Sequence, residues 1–212
     1  FCPTTTAVEN LKKEGITEGV HLVGDVMYDA ALHNRELAMK SQMLEKLELR
    51  KKEYLLVTVH RPSNTDKREN LEAIVDALIS SGETIVLPVH PRTLKSLKKF
   101  KLHAKLDEAI ELIEPAGYLD FTCLAMNAKK ILTDSGGVQK EAYFHGIACI
   151  TLREETEWVE TVDDGWNILV GADREKILDA IRTFEPKGER RESYGDGKAS
   201  EKIARVIDDE LA

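Results

Sequence analysis

The stretch ILTDSGGVQKEAYFHG, running from Ile131 to Gly146, decides how this chain is read. A short β-branched run, Lys130–Thr133, passes through an acid, a serine and two glycines into a helical pattern over Val138–His145. Strand, tight turn and helix in that order make a βα joint. Ser135 is a good helix N-cap. Gly136 and Gly137 lack the Cβ that would keep a ligand off the backbone. Gly146 stands where a left-handed residue ends a helix. The first amides of the helix have no internal partner, so together with the helix dipole they form an anion site suited to a phosphate or diphosphate. By themselves these residues suit equally a tight βα turn that holds nothing. Neither GxGxxG nor GxxxxGK[ST] occurs in the chain.

The same alternation extends in both directions. Tyr54–Val59, Thr84–Val89, Ile110–Ile113, Lys130–Thr133 and Ala148–Leu152 are apolar runs without polar alternation, as in parallel strands buried on both faces. Helical patterns lie between and beyond them. Glu69–Ser81 carries Leu71, Ile74, Val75 and Leu78 at helical spacing and stops at Gly82. Leu119–Asn127, Arg174–Phe184 and Ser200–Leu211 are also helical. The fold class is therefore α/β, with a Rossmann-like, doubly wound parallel sheet. Residues 1–50 read as leading helices, Thr6–Glu14 and one or two over Gly24–Glu48, with a short strand at His21–Val23. Residues 51–185 form the sheet-bearing core. Residues 186–212 are a charged loop, Pro186–Gly197, and a tail helix. One domain is expected, with residues 1–50 as a separate lobe the alternative.

Bulk properties narrow the function. At 42% apolar and 32% charged residues the composition is that of a soluble globular protein. A formal charge of -8 argues against nucleic acid as a partner. No apolar run approaches the ~18 residues of a membrane span. Three scattered cysteines, Cys2, Cys123 and Cys149, form no CxxC pair, so reduced thiols in a cytoplasmic setting and no thiolate metal site are expected. The first residue is Phe1, so the natural N-terminus is expected upstream.

In an open α/β sheet, ligands bind beyond the carboxyl ends of the strands. The segments there are HRPSNTD (His60–Asp66), HPRT (His90–Thr93), EPAGYLDF (Glu114–Phe121), DSGG (Asp134–Gly137) and REETEW (Arg153–Trp158). Two imidazoles and three arginines thus gather along one edge, where fold support alone requires none of them. Glu141 lies one turn beyond Gly137 on the same helix face and could accept hydrogen bonds from sugar hydroxyls; an ordinary solvated glutamate fits too. His60 could donate to phosphate or move a proton, or be a structural histidine. Arg61 and Arg92 could fork onto phosphate or sit in surface ion pairs. Phe121, Trp158 and Trp166 are aromatic candidates for stacking, with Trp166 the one expected in the core. His33, His103 and His145 fall in helical patterns and suggest no chemistry. The lysine-rich run Lys95–Lys105 reads as a solvated helix face.

LTDSGGVQKEA, TVHRPSN, PVHPR, the REETEW loop and the closing YGDGKAS resemble, in order and across essentially the whole chain, the non-hydrolysing UDP-N-acetylglucosamine 2-epimerases. The resemblance implies a GT-B architecture of two Rossmann-like halves, of which this chain is the C-terminal one with hinge and tail; FCPTTTAVENLKKEGI resembles the crossover between the halves, and nothing resembles the N-terminal domain. It implies interconversion of UDP-N-acetylglucosamine and UDP-N-acetylmannosamine by loss of the C2 proton, elimination of UDP and its re-addition. No cofactor and no metal are implied. The partners implied are UDP and the UDP-N-acetylhexosamine, the absent N-terminal domain, and a second copy in a homodimer.

The resemblance also assigns residues. His60 matches a histidine near the diphosphate and reacting centre. Ser135, Gly136 and Gly137 match the diphosphate turn, and Glu141 the glutamate that holds ribose. Phe121 and the backbone near Ala116 match the uracil pocket. Arg61 and His90 match loops that bind a second, activating substrate molecule in bacterial members. Arg153 matches an arginine of its loop. The chain departs from the pattern at Ser63, where Glu usually precedes Asn, and at Trp158, where many members have Arg after Thr-Glu. Two further readings stay open: half of a UDP-sugar glycosyltransferase of GT-B type, and a non-catalytic UDP-sugar-binding module.

Overall fold

A computed structural model describes residues 1–211; Ala212, the last residue of the expected tail, lies outside the described residues. The chain divides into two compact units, residues 38–190 and residues 1–37 with 191–212.

The larger unit is built on a six-stranded, all-parallel sheet in the order β3-β2-β1-β4-β5-β6. A short helix, α3 (Met43–Lys46), comes first, and β1 (Leu55–Thr58) follows. Then come α4 (Pro62–Thr65), α5 (Arg68–Ser81), β2 (Ile85–Pro88), α6 (Pro91–Lys99), α7 (His103–Asp107) and β3 (Glu111–Ile113). The second half runs α8 (Tyr118–Asn127), β4 (Lys130–Thr133), α9 (Gly136–His145), β5 (Ala148–Thr151), α10 (Val159–Asp163), β6 (Asn167–Leu169) and α11 (Arg174–Thr183).

Strand alternation explains the two layers. Leu55, Val57, Leu132 and Ile150 point to one face, where they pack with Leu71, Ile74, Leu78, Ile177 and Ile181 of α5 and α11. Tyr54, Leu56, Ile131 and Cys149 point to the other and meet Leu124, Ala125 and Ala142 of α8 and α9. Strands buried on both sides have no polar positions to spare, which is why their sequences are continuous apolar runs. Since β1 is flanked by β2 and β4, the direction of winding reverses between β1 and β4. A crevice opens at such a switch point, outside the carboxyl ends of the strands.

In the smaller unit, α1 (Thr5–Lys13) is capped by Thr4, whose hydroxyl accepts from Ala7 N at 3.3 Å. Asp29, on α2 (Val26–Ala38), accepts from Ala199 N at 3.1 Å and from Ser200 N and Oγ at 2.7 Å each. It thereby caps α12 (Ala199–Leu211). Gly24 has φ +96° and an added Cβ would lie 2.9 Å from Tyr194 O, so the YGDG segment passes too close for a side chain.

Three expectations are corrected. His21–Val23 forms no strand: a single parallel bridge joins Cys2 and Leu22, with one hydrogen bond on either side. The run Lys95–Lys105 is not one helix. It breaks at Lys101, which takes φ +61°, although its lysines are solvent-exposed as expected. A sixth strand, β6, lies where none was expected. It has three residues and opens on a buried asparagine, so neither length nor apolar pattern announced it. The leading segment over Gly24–Glu48 resolves into two helices, α2 and α3.

Candidate functional site

The joint that opened the sequence reading sits on the winding switch. Thr58 and Thr133 pair across β1 and β4, and their hydroxyls lie 2.6 Å apart. Thr133 Oγ1 accepts from Ser135 N at 2.9 Å, which bends the chain out of the strand. Ser135 then caps α9, its hydroxyl facing Val138 N at 3.5 Å. Gly136 and Gly137 are the first helical residues, so their amides belong to the set without internal helix partners. The helix is closed at its far end by Gly146, with φ +67°, and by Arg190, whose Nη1 donates to Tyr143 O at 2.7 Å and Phe144 O at 2.8 Å.

Asp134 is wholly buried and organises the facing loop. Its carboxylate accepts from His60 N at 3.0 and 3.1 Å, Arg61 N at 2.9 Å and Asn64 Nδ2 at 3.0 Å. Asn64 Nδ2 also donates to Leu152 O at 3.0 Å, so one side chain joins the ends of β4 and β5 to the loop after β1. The His60 ring is half-exposed, with Nδ1 3.7 Å from Asp134 Oδ1. The structure therefore brings His60, Arg61 and the Ser135 turn together, and Asp134 is what holds them.

A second group borders the turn from β5. Arg153 makes a forked pair with Glu157, at 2.9 and 2.8 Å, and Arg61 Nη2 lies 3.8 Å from the same carboxylate. The Arg153 hydrogen bonds draw the Glu157 carboxyl down to about 2 and raise the guanidinium of Arg153 in turn. A Cβ on Gly136 would stand 3.4 Å from Glu157 Oε2 and 3.1 Å from Trp158 Nε1. Bare backbone at Gly136 is what allows these side chains to approach.

Glu141 is 8% exposed and lies beside Tyr118. Burial pushes its carboxyl up, with the Tyr118 hydroxyl and the Lys140 charge opposing. Tyr118 opens α8, two residues past Ala116, which ties the Glu141 face to the loop after β3. Phe121 is half-buried and packs against the apolar cluster under α8 and α9. His90 lies with its ring 5.8 Å from that of His60, and its Nδ1 accepts from Arg92 N at 3.2 Å, so it caps α6. Arg92 faces Asp66 at 3.5 Å in a surface ion pair. Trp166 is half-buried under the Arg190 guanidinium.

Sequence reasoning missed Asp134, Asn64, Tyr118, Lys140 and Glu157. The first two carried a signal: a lone acid between a threonine and a capping serine, and an asparagine in a strand-end loop. Tyr118 and Lys140 are recognisable only through contacts from elements distant in sequence, and Glu157 through its pairs with Arg153 and Arg61. A cavity of about 760 Å³ opens at the ends of β5 and β6, lined by Asn64, Arg153, Gly171 and Lys176 among others. None of Ser135, Gly136, Gly137 or Glu141 lines it. Among the described residues no cluster of three or more His, Cys, Asp or Glu could hold a metal ion, and no helix is long and apolar enough to cross a membrane.

An all-parallel sheet wound in this order defines a Rossmann-like α/β domain. The UDP-N-acetylglucosamine 2-epimerase family model matches residues 1–208, and the chain belongs to that family. A UDP-N-acetylglucosamine 2-epimerase homolog from Methanococcus maripaludis is 54% identical over 212 residues, 98% of this chain and 59% of the relative. A UDP-2,3-diacetamido-2,3-dideoxy-D-glucuronate 2-epimerase from Pseudomonas aeruginosa is 41% identical over 98% of this chain and 58% of its own length. The crystal structure of Methanocaldococcus jannaschii UDP-GlcNAc 2-epimerase in complex with UDP-GlcNAc and UDP superposes with a TM-score of 0.91, at 40% identity, over 98% of this chain and 60% of that one. The expected C-terminal GT-B half agrees with this likeness. The chain spans about 60% of the length of the curated relatives it matches.

Proposed function

We propose that this chain is the UDP-binding half of an epimerase that inverts C2 of a UDP-N-acetylhexosamine, interconverting UDP-N-acetylglucosamine and UDP-N-acetylmannosamine. The observation that carries the reading is the Ser135–Gly137 turn at the start of α9, set on the switch point of a chain from this family. The turn's amides and the helix dipole hold the diphosphate, and Arg61 and Arg153 supply charge at its rim. As UDP departs, negative charge grows on the β-phosphate oxygens, and donors already fixed in place stabilise it without reorganising. Glu141 takes the ribose hydroxyls, Phe121 and the Ala116 backbone border uracil, and His60 stands where a proton can be given or taken near the reacting carbon. His90 and Arg61 serve a second substrate molecule. The carboxylates of the C2 chemistry come from an N-terminal lobe that closes the other wall, in a protein that pairs as a homodimer in the cytoplasm.

A second reading of the sugar has its own support. The Pseudomonas relative named for a 2,3-diacetamido glucuronate is 41% identical, the same as the Methanocaldococcus UDP-N-acetylglucosamine 2-epimerase. Both sugars carry the C2 acetamide and the UDP that the mechanism uses.

The test is to incubate UDP-N-acetylglucosamine in D₂O with the protein encoded by the complete reading frame that contains this chain. Deuterium at C2 and formation of the manno epimer are expected. Exchange on the diacetamido glucuronate alone would select the second reading. No C2 exchange on either sugar would refute epimerisation.

A further inference from the structure

His60 and His90 follow β1 and β2, and their rings lie 5.8 Å apart. Their Nδ1 atoms nevertheless meet opposite chemistry. His90 Nδ1 accepts from Arg92 N at 3.2 Å, so it keeps a lone pair, and the proton of the neutral ring sits on Nε2. His60 Nδ1 instead faces Asp134 Oδ1 at 3.7 Å. A bare lone pair there would oppose a carboxylate oxygen, whereas an N–H is attracted to it. Asp134 is wholly buried, so water does little to screen the contact.

Asp134 is held as an orienting group must be. Its Oδ2 accepts from Arg61 N at 2.9 Å, Asn64 Nδ2 at 3.0 Å and His60 N at 3.1 Å. Its Oδ1 accepts from His60 N at 3.0 Å and has a lone pair left for the ring of that same residue. Asn64 is fixed in turn by Leu152 O at 3.0 Å. The carboxylate is thus kept from turning away, and backbone and ring of His60 answer to one group. The other nitrogen, Nε2, has no hydrogen bond or ion pair among the described residues, and the side chain is 40% exposed.

Resting on the proposed function for the proton step, we propose that Asp134 is a positioning residue that fixes His60 as the Nδ1–H tautomer, leaving a bare Nε2 as the nitrogen that takes the proton, and that His90 is held as the opposite tautomer. The two neighbouring imidazoles are then not interchangeable. One offers a base; the other offers an N–H, and its Nδ1 is occupied by the α6 cap. When the Nε2 lone pair of His60 forms its bond to the incoming proton, the proton's donor keeps the electron pair, and the imidazolium stands against the Asp134 carboxylate, which stabilises it.

The experiment reads the tautomers directly, by long-range ¹H–¹⁵N correlation of the imidazoles in the ¹⁵N-labelled full chain, above the ordinary histidine pKa of ~6.5 so that both rings are neutral. His60→Gln and His90→Gln assign the signals. His60 is expected to carry its proton on Nδ1 and His90 on Nε2. A His60 proton on Nε2 in the parent would overturn the inference without any further variant. In Asp134→Asn the amide oxygen is drawn to Arg61 N and Asn64 Nδ2, where two donors converge, so its NH₂ turns to His60 Nδ1 and demands a lone pair there. His60 should switch to Nε2–H, and in the protein encoded by the complete reading frame kcat for C2 exchange should fall about a hundredfold with KM little changed. Thermal melts establish that the variant is folded; a merely structural aspartate would lower the melting temperature and leave the tautomer alone. A folded Asp134→Asn that keeps Nδ1–H, or that switches tautomer and exchanges C2 at the parent's rate, would overturn the positioning role. Absence of C2 exchange in the parent would refute the epimerase reading instead, with the tautomers still decided by the spectra.

Discussion

At the scale of single residues, Asp134 and Glu141 show what a carboxylate does when it is buried for two different reasons. Asp134 accepts from two backbone amides and a side-chain amide, and no solvent reaches it. Asp134→Ala leaves those donors buried without an acceptor, at a cost of about 3 kcal/mol; a denaturant melt should show it. Glu141 is held under strain of another kind, since burial raises its carboxyl. A folded value above the unfolded one means stability fully present below the unfolded value and lost as pH rises through the folded one. Glu141→Gln should therefore melt no lower than the parent at neutral pH, while binding UDP and uridine more weakly by the same factor, about tenfold. A drop for UDP alone would remove Glu141 from the ribose. Glu157 has the opposite sign. Its pair with Arg153 takes it from 4.5 to about 2, so its contribution is present above pH 4.5 and disappears as pH falls toward 2. It is half-exposed, so the gap in stability between parent and Glu157→Gln should be only ~0.5 kcal/mol at pH 6 and should close in acid.

At the scale of elements, helix ends are where backbone groups need partners from elsewhere. Lys130 is 1% exposed at the start of β4, and its ammonium reaches the last carbonyls of α11, at Ala180, Ile181 and Phe184, with Glu185 at 3.2 Å. It is a side-chain cap delivered from a strand, and it explains a lysine inside a buried run. Lys130→Met should cost about 3 kcal/mol through the carbonyls left buried, a fall of roughly 2–4 °C per kcal/mol in a thermal melt. A melt unchanged within a degree would show that water replaces the cap. Much of this level was legible beforehand. Val–Leu–Ile runs told of parallel strands because both faces are buried, and Gly82 and Gly146 told of helix ends because both take left-handed φ. What stayed hidden was polar structure inside elements. Asn167 opens β6 as part of a network with Gln139, Thr151 and Thr161, and a buried hydrogen-bonded asparagine leaves no apolar trace in the sequence. Trp158 and Lys140 lie eighteen positions apart, and only the fold reveals that they are stacked. DSGG, by contrast, announced itself, because the turn's chemistry and its sequence neighbours are the same residues.

At the scale of the whole molecule, charge and length set the expectations. A net charge of -8 surrounds a turn that must attract a diphosphate, so attraction has to be local, from helix amides and from Arg61 and Arg153. UDP affinity should accordingly fall only modestly with added salt, in contrast to the steep dependence of a surface that binds polyanions. Since the chain spans about 60% of its curated relatives, the proposed function assigns it one wall of a two-walled site. Binding energy realised only in the transition state needs both walls. The 212-residue chain should therefore bind UDP weakly and turn over nothing; formation of the manno epimer by the purified chain would contradict this. The most direct measurement is a calorimetric titration of the chain with UDP beside uridine, repeated on Gly137→Val. UDP should bind well above uridine, and the branched side chain at the turn should remove the difference while the fold survives. Equal binding of UDP and uridine, or an undiminished UDP preference in Gly137→Val, would contradict the claim that this turn holds the diphosphate.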